Sequence, residues 1–416
     1  MDNAIFTIVS NNYFSRALTL IKSIKTTNYG LDFYIVLADD KSNLIEYESS
    51  GFNMIYLQDF LNDELLDEMK YKYDLVEFNT SIKPFVFKKL FSKGYKKIIY
   101  FDPDIYVYSS LSPLLEILNN YSVALTPHRT CANMAHGEEC FNEVELSAAG
   151  VFNLGFCAIS NTATGNKVVD WWCNKLQDYS YADFKFGLFY DQKWMNFIPC
   201  YFPDDVKVLL EPGYNYAPWN FDEREVWDDE GKLYIKDIDG RQSPLYFIHF
   251  SGFDPTSSEY IIQKHIIDIH LPKEMLGLCE RYAEELLSNR YMEYKDVQYA
   301  FNRYTNGDKV TSLHRQLYRA LLKNGVRFTN LFSVDKDSFY GILKKSKLLC
   351  NESEISKKKD VRDFDDKAKK VNKLLKLSKK ILGIKRYTML MRYMSYVSRF
   401  DNQTFLVNLK IPNSKK

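Results

Sequence analysis

The stretch that most constrains this chain is Lys97–Tyr108, KIIYFDPDIYVY. Ile98, Ile99, Tyr100 and Phe101 are consecutive apolar strand formers. Such a run, without polar alternation, suits a strand buried on both faces, as in a parallel sheet covered by helices. It stops at Asp102-Pro103-Asp104, and Ile105–Tyr108 resumes extended structure. Two carboxylates are thereby set at the carboxyl end of a buried strand, where open α/β sheets bind their ligands. A polar turn between strands uses the same residue types. A divalent cation uses them too, because hard cations take carboxylate oxygens and share them with substrate phosphates. On this stretch alone both readings stand.

The preceding chain supplies the sheet. Ala4–Val9 is a short apolar strand broken by Ser10-Asn11-Asn12. Phe14–Ile24 has helical spacing, with Ala17, Leu18, Leu20, Ile21 and Ile24 on one side. Phe33–Ala38 is a second buried strand, closed by Asp39-Asp40. Strand, helix, strand is a βαβ start and implies parallel pairing. Met54–Leu57 adds a third strand. Asn79-Thr80-Ser81 offers helix caps, Pro84 suits a first helical turn, and Gly94 ends the helix that feeds the Lys97 strand. Pro113–Leu118 reads as a helix and Val123–Leu125 as a strand.

His128–Ala149 reads as irregular. Its His128, Cys131, His136, Glu138, Glu139 and Cys140 fit no metal-ligand spacing, and a loop over a site is the better reading. Gly150–Phe156 brackets Asn153 with glycines before the strand Cys157–Ile159. That pattern allows a close backbone approach to a ligand, or marks a bulge. Lys167–Leu176 is a helix with Trp171 and Trp172. Asp191 and Gln192 open another in YDQKWMN, where an Asp also serves as an ordinary cap. Glu211–Asn220, EPGYNYAPWN, is a turn-rich aromatic loop. Leu245–Phe250 is a strand with His249 near its end, before Ser251-Gly252. A lone His is usually structural, and its place at a strand terminus makes it a site candidate. Tyr260–Ser346 reads as mostly helical, with Leu276–Leu287 the clearest amphipathic case.

Net charge is only +1, which excludes a whole-chain nucleic-acid binder on charge. The total hides an asymmetry: Asn351–Lys416 holds 18 Lys and Arg against 7 Asp and Glu, a net of +11, so the rest carries −10. Lys367–Leu382 is expected to form an amphipathic helix, apolar through Val371, Leu374, Leu375, Leu377, Ile381 and Leu382, with lysines opposite. That pattern fits an anionic membrane surface, or packing on an acidic body or a second subunit of a homo-oligomer. The seven cysteines are odd in number and without CxxC spacing, as in a reduced cytoplasmic protein. The start, MDNAIFTIVSNNYF, lacks a signal-peptide pattern, and no run is long and apolar enough to span a membrane. The expected location is cytoplasmic, at the inner face of the cell membrane.

Four landmarks occur in one order: DPD at Asp102, FNLG at Phe152, DQxxMN at Asp191 and HFSG at His249. Their order resembles the GT-A glycosyltransferases, in particular the retaining family 8, which carries D-x-D, N-x-G, D-Q-x-x-x-N and H-x-x-G. The resemblance covers roughly residues 1–254. YFDPDIYV, GVFNLGF and HFSGFDP also resemble bacterial surface-polysaccharide transferases.

The resemblance implies an α/β GT-A fold: a Rossmann-like, mostly parallel mixed sheet with helices on both faces, plus a C-terminal helical extension. The expected division is a catalytic domain over 1–255, a helical extension over 256–347 and a basic tail over 348–416. It also implies that Asp102, Asp104 and His249 hold Mn²⁺ or Mg²⁺ on the diphosphate of a nucleotide-sugar, with UDP-hexose the expected donor. Ser10 and Asn12 would contact the nucleoside, Gly252 would bind the same donor, and Lys83 would lie near the phosphates. Asn153, Asp191 and Gln192 would line the donor sugar and carry catalysis. One departure stands out: Pro255 occupies the position where family 8 has a diphosphate-pairing Lys, and Lys264 is the expected replacement.

The implied activity is sugar transfer to a glycan or lipid-linked glycan acceptor of an O-antigen or capsule-type surface polysaccharide. Growing charge on the departing diphosphate must be neutralised, which metal and Lys would do. Asp191 would act as nucleophile or stabilise an oxocarbenium-like centre. A nucleotidyltransferase is the main alternative, but SNNYFSRA is not its Gly-rich phosphate loop. A non-catalytic carbohydrate-binding protein would leave the four landmarks unexplained.

Overall fold

The computed structural model describes residues 2–28, 30–48, 51–132, 141–257, 260, 272–349 and 361–409. They form two compact units, Met1–Leu66 with Leu75–Ala300, and Asp67–Asp74 with Phe301–Lys416.

The first unit is built on β1 (Asn3–Val9), β2 (Asp32–Leu37), β3 (Asn53–Tyr56), β4 (Lys97–Phe101), β6 (Val123–Pro127), β7 (Phe152–Ser160) and β8 (Val206–Val208). They make one sheet in the order β3-β2-β1-β4-β7-β6-β8. The strands β1 to β4 pair in parallel, β7 runs antiparallel to both β4 and β6, and β6 pairs with β8 in parallel. The fold is thus the expected α/β GT-A arrangement, with a mostly parallel central sheet.

Helices on both faces explain why these strands carry unbroken apolar runs. Successive residues of a strand point to opposite faces. Ile5 and Val9 pack with Ala17, Leu20 and Ile24 of the helix Phe14–Thr27. Phe6, between them in sequence, points the other way and meets Phe87 of the helix Lys83–Ser92 edge-on at 4.9 Å. Phe87 in turn meets Trp172 of the helix Ala163–Tyr179 at 6.5 Å. Each such fully buried side chain contributes about 2 kcal/mol before its entropy cost.

Two small sheets complete this unit. β5 (Ile105–Val107) pairs antiparallel with β12 (Phe247–His249), with Ile105 opposite His249. β9 (Arg224–Asp229), β10 (Lys232–Asp237) and β11 (Gln242–Pro244) form an antiparallel sheet that sequence reading did not anticipate. Its signal is present: REVWDD and KLYIKD flank Glu230-Gly231, both at positive φ, as a two-residue hairpin turn requires. Two further differences are helical. Leu75–Ser81 is itself a helix, and Phe141–Ala149 forms a helix inside the stretch read as irregular. His136, Glu138, Glu139 and Cys140 lie outside the described residues.

The second unit gathers Tyr71, Tyr304, Leu317, Tyr318, Leu321, Phe339 and Leu343 into its own core. Thr311 caps the helix Ser312–Lys323 through His314 N, and Ser338 caps Phe339–Lys345 through Gly341 N. The final helix, Val361–Val397, is broken at Gly383, whose φ of 70° only glycine adopts cheaply. Val371, Leu374, Leu377 and Ile381 on it are exposed. Among the described residues no helix is long and apolar enough to cross a membrane.

Candidate active site

The site lies at the carboxyl end of β4. The buried strand ends at Phe101, and Asp102 N donates to Gly155 O of β7 at 2.6 Å. Phe250 N donates to Asp104 O at 2.9 Å, which continues the β5–β12 pairing past His249. These backbone bonds fix where the three side chains start. Asp102, Asp104 and His249 each bring one ligand atom within 4.8 Å of the others. His249 Nε2 lies 3.2 Å from Asp104 and 3.9 Å from Asp102.

Charge is organised around this cluster. Burial works against a charged His249, yet Asp104 outweighs it and lifts the imidazole above its ordinary range. Burial would raise Asp104, but His249 pulls its carboxyl below the usual value. The Tyr100 hydroxyl donates to Asp102 Oδ1 and orients that carboxylate. Two carboxylate oxygens and an imidazole nitrogen form a donor set for a divalent cation.

Lys83 and Asp191 stand beside it. Lys83 Nζ donates to Asp191 Oδ2 and to Leu154 O, each at 2.6 Å, and lies 4.0 Å from Asp102. Burial opposes its charge, but Asp191, with Asp102 behind it, holds Lys83 above its ordinary range. Asp191 precedes the short helix Gln192–Met195 yet its side chain caps nothing there. It is spent on Lys83 instead, which separates it from an ordinary N-cap.

The other expected residues are placed as follows. Ser10 is buried and donates to Asn12 Oδ1 at 2.7 Å at the end of β1. Gln192 Nε2 donates to Ala149 O at 3.1 Å. Gly252 has φ 73°, in the turn after β12. Lys264 lies outside the described residues. Asn153 is buried behind His249, with both ends of its amide engaged: Oδ1 accepts from His249 Nδ1, Gly155 N and Asn215 Nδ2, and Nδ2 meets His128 Nε2.

Sequence reading missed three contributors. Arg16 is a buried guanidinium that donates to Phe253 O at 2.9 Å, lies 4.2 Å over Tyr13, and pulls on Asp104 electrostatically. Its only signal was a cation in an apolar helix stripe. His128 is buried beside Asn153 rather than in an open loop. The aromatic loop Glu211–Asn220 is largely buried: Tyr214, Asn215, Tyr216 and Asn220 are inside, and Asn220 ties His128 O to Asn215 O. Gly155 permits the packing, since a Cβ there would meet His249 Cε1 at 2.3 Å.

Residues 4–252 match the family described as glycosyl transferase family 8. The uncharacterized protein YfnF of Bacillus subtilis is 24% identical over 270 residues, 64% of this chain and 86% of that protein. Among solved structures, the galactosyltransferase LgtC in complex with donor and acceptor sugar analogues is similar at 15% identity and a TM-score of 0.41, covering 68% of this chain and 95% of that one. The glycosyltransferase GlyE of Streptococcus pneumoniae gives 14% identity and a TM-score of 0.38, covering 72% and 66%. With well over half its length matched to one family, and that family's D-x-D, N-x-G and H-x-x-G landmarks inside the match, the chain belongs to glycosyl transferase family 8.

Proposed function

We propose that this glycosyltransferase is a metal-dependent hexosyltransferase that uses a nucleotide-sugar, with UDP as leaving group, and serves a surface-glycan acceptor. The observation that carries the reading is the convergence of Asp102, Asp104 and His249 beside the Lys83–Asp191 pair. The three donors would hold Mn²⁺ or Mg²⁺. When bound, such a cation neutralises charge on a departing diphosphate. Lys83 and Arg16 add fixed positive charge beside these carboxylates, in a chain where Pro255 replaces the family's phosphate-pairing Lys. Because both are buried and pre-oriented, they need little reorganisation as charge develops. Ser10 and Asn12 would meet the nucleoside, Gly252 the diphosphate, and Gln192 the donor sugar. Asp191, steered by Lys83, would face the anomeric carbon and stabilise its positive charge, with retention of configuration.

The tail supports a location for the acceptor. Exposed Leu374, Leu377, Ile381 and Ile384 share the segment that carries the net +11. An apolar strip flanked by lysines fits an anionic lipid surface, with about 1 kcal/mol from each basic residue near it. A lipid-linked acceptor would be met there.

The test is incubation of the full chain with a panel of nucleotide-sugars, with Mn²⁺ or with a chelator. Release of nucleoside diphosphate that the chelator abolishes is expected. Release of pyrophosphate from a nucleoside triphosphate and a sugar phosphate, or full activity in chelator, overturns the reading. For the tail, the full chain should float with anionic vesicles at low salt, and failure to do so removes the membrane contact.

A further inference from the structure

His249, Asn153 and His128 form a hydrogen-bonded chain that runs back from the cluster to the backbone carbonyl of Val151. Gly155 N donates to Asn153 Oδ1 at 3.2 Å. A backbone N–H is always a donor, so this contact fixes which end of the Asn153 amide is oxygen. His249 Nδ1, 3.2 Å from that oxygen, must then carry its proton and donate. The other end, Asn153 Nδ2, must donate to His128 Nε2 at 3.3 Å, which makes that nitrogen an acceptor. His128 Nδ1 lies 3.0 Å from Val151 O, which only accepts, so the His128 proton sits on Nδ1. Every polarity in the chain follows, and it leaves His249 Nε2 as the nitrogen presented to Asp102 and Asp104. The rings are held as well: Trp219 stands edge-on to His249 at 5.1 Å and to His128 at 5.3 Å. Asn215 Nδ2 adds a further donor to Asn153 Oδ1 at 3.2 Å.

We propose that His128 is a positioning residue of the metal site: acting through Asn153, it fixes which nitrogen of His249 faces the two carboxylates. The proposal rests on the reading of Asp102, Asp104 and His249 as metal donors. Partners of a ligating imidazole's second nitrogen set its tautomer and orientation, and losing them typically weakens metal binding about 10- to 100-fold. Asn153 is such a partner for His249, and His128, together with Gly155 N and Asn215 Nδ2, holds Asn153 in its required polarity. His128 is not one of the three converging donors; its Nδ1 meets Val151 O and its Nε2 meets Asn153 Nδ2.

The experiment measures Mn²⁺ binding to the full chain by electron paramagnetic resonance of the free ion, without any substrate. His128→Gln keeps an acceptor where Nε2 stood, whereas His128→Asn keeps only a donor near Nδ1. His128→Asn is expected to weaken Mn²⁺ binding by about tenfold, and His128→Gln to restore affinity near that of the wild type. A merely structural role would not rank the two variants this way. In the wild-type chain, ¹⁵N resonances should show His128 protonated on Nδ1, a readout that does not depend on either variant folding. Equal Mn²⁺ affinity in wild type and both variants, or His128 protonated on Nε2, overturns the relay alone. Absence of Mn²⁺ binding by the wild-type chain overturns the metal reading of the cluster and the relay with it.

Discussion

The two units bury charged side chains of similar kinds to opposite ends. In the second unit Arg315 donates to the carbonyls of Lys70, Tyr71, Tyr73 and Phe301, and to Asn302 Oδ1. His314 presents Nε2 to Leu348 O at 3.1 Å, and its Nδ1 accepts from Thr311 N at 3.3 Å. These groups close the ends of chain segments, so their donors are consumed by the fold. In the first unit, at the end of β4, lone-pair donors and counter-cations instead converge on one point. Asp102, Asp104 and His249 point at one another, with Lys83 and Asp191 alongside. Burial of charge is therefore a poor indicator of function by itself. The direction of the lone pairs distinguishes a site from a strut.

The sharpest way to break this contrast is Asp104→Ala. Removing one carboxylate should lower nucleoside diphosphate release by about 10³-fold or more while the chain stays folded. Near-normal turnover would reduce the cluster to a polar turn. Next comes the strut. Arg315→Met leaves several buried carbonyls without a donor and should cost about 3 kcal/mol in urea unfolding. Turnover per folded molecule should be unchanged; a selective loss of turnover without loss of stability would erase the distinction.

A third comparison uses pH, because Asp39 and His314 should respond with opposite sign. In the first unit burial raises Asp39 to about 6. Between about pH 4 and 6 the unfolded chain releases this proton first, so the stability it contributes is present below about pH 4 and lost as pH rises through 6. The effect is on the order of 2 kcal/mol. In the second unit burial lowers His314. There the unfolded chain takes up the proton first, so stability is present above about pH 6.5 and lost as pH falls below it. Hydrogen exchange resolved by segment should show the two trends, and a common slope would contradict both assignments. The smallest expected effect is Gly155→Ala. Its Cβ displaces the His249 ring and should weaken Mn²⁺ binding by about tenfold with the sheet intact. Unchanged affinity would mean that the ring can shift without cost.

Much of the first unit was legible because its signals are local. The apolar run before Asp102 announces a strand covered on both sides, and its abrupt end announces what the strand presents. Asp191 was ambiguous, since a cap and a site residue look alike until Lys83 is seen to claim the carboxylate. Asn153 was legible as a candidate, and His128 only as one residue of a loop. Their connection runs through space across separate strands, and hydrogen-bond polarity leaves no periodicity in a sequence. The loop Glu211–Asn220 was legible as turn-rich and aromatic, but not as buried. Tyr and Trp are equally at home on a wet groove and in a core, so composition could not tell that this loop is a wall behind the histidines. The hairpin at Glu230-Gly231 had a clear turn signal, hidden because its strands alternate with charged residues on an exposed face.

The pairing of β5 with β12 has a consequence for how the protein comes into being. Asp102 and Asp104 leave the ribosome long before His249, and that short ladder brings the imidazole to them. A nascent chain that ends before Phe247 owns two carboxylates and no complete grip on a cation. Affinity would then arise in one step, when the late segment docks. From that moment a bound cation favours the docked state by mass action. Loading would act as a latch on a late-arriving piece of the unit, and starvation for the ion would be felt as a delay in maturation before it is felt as slow turnover.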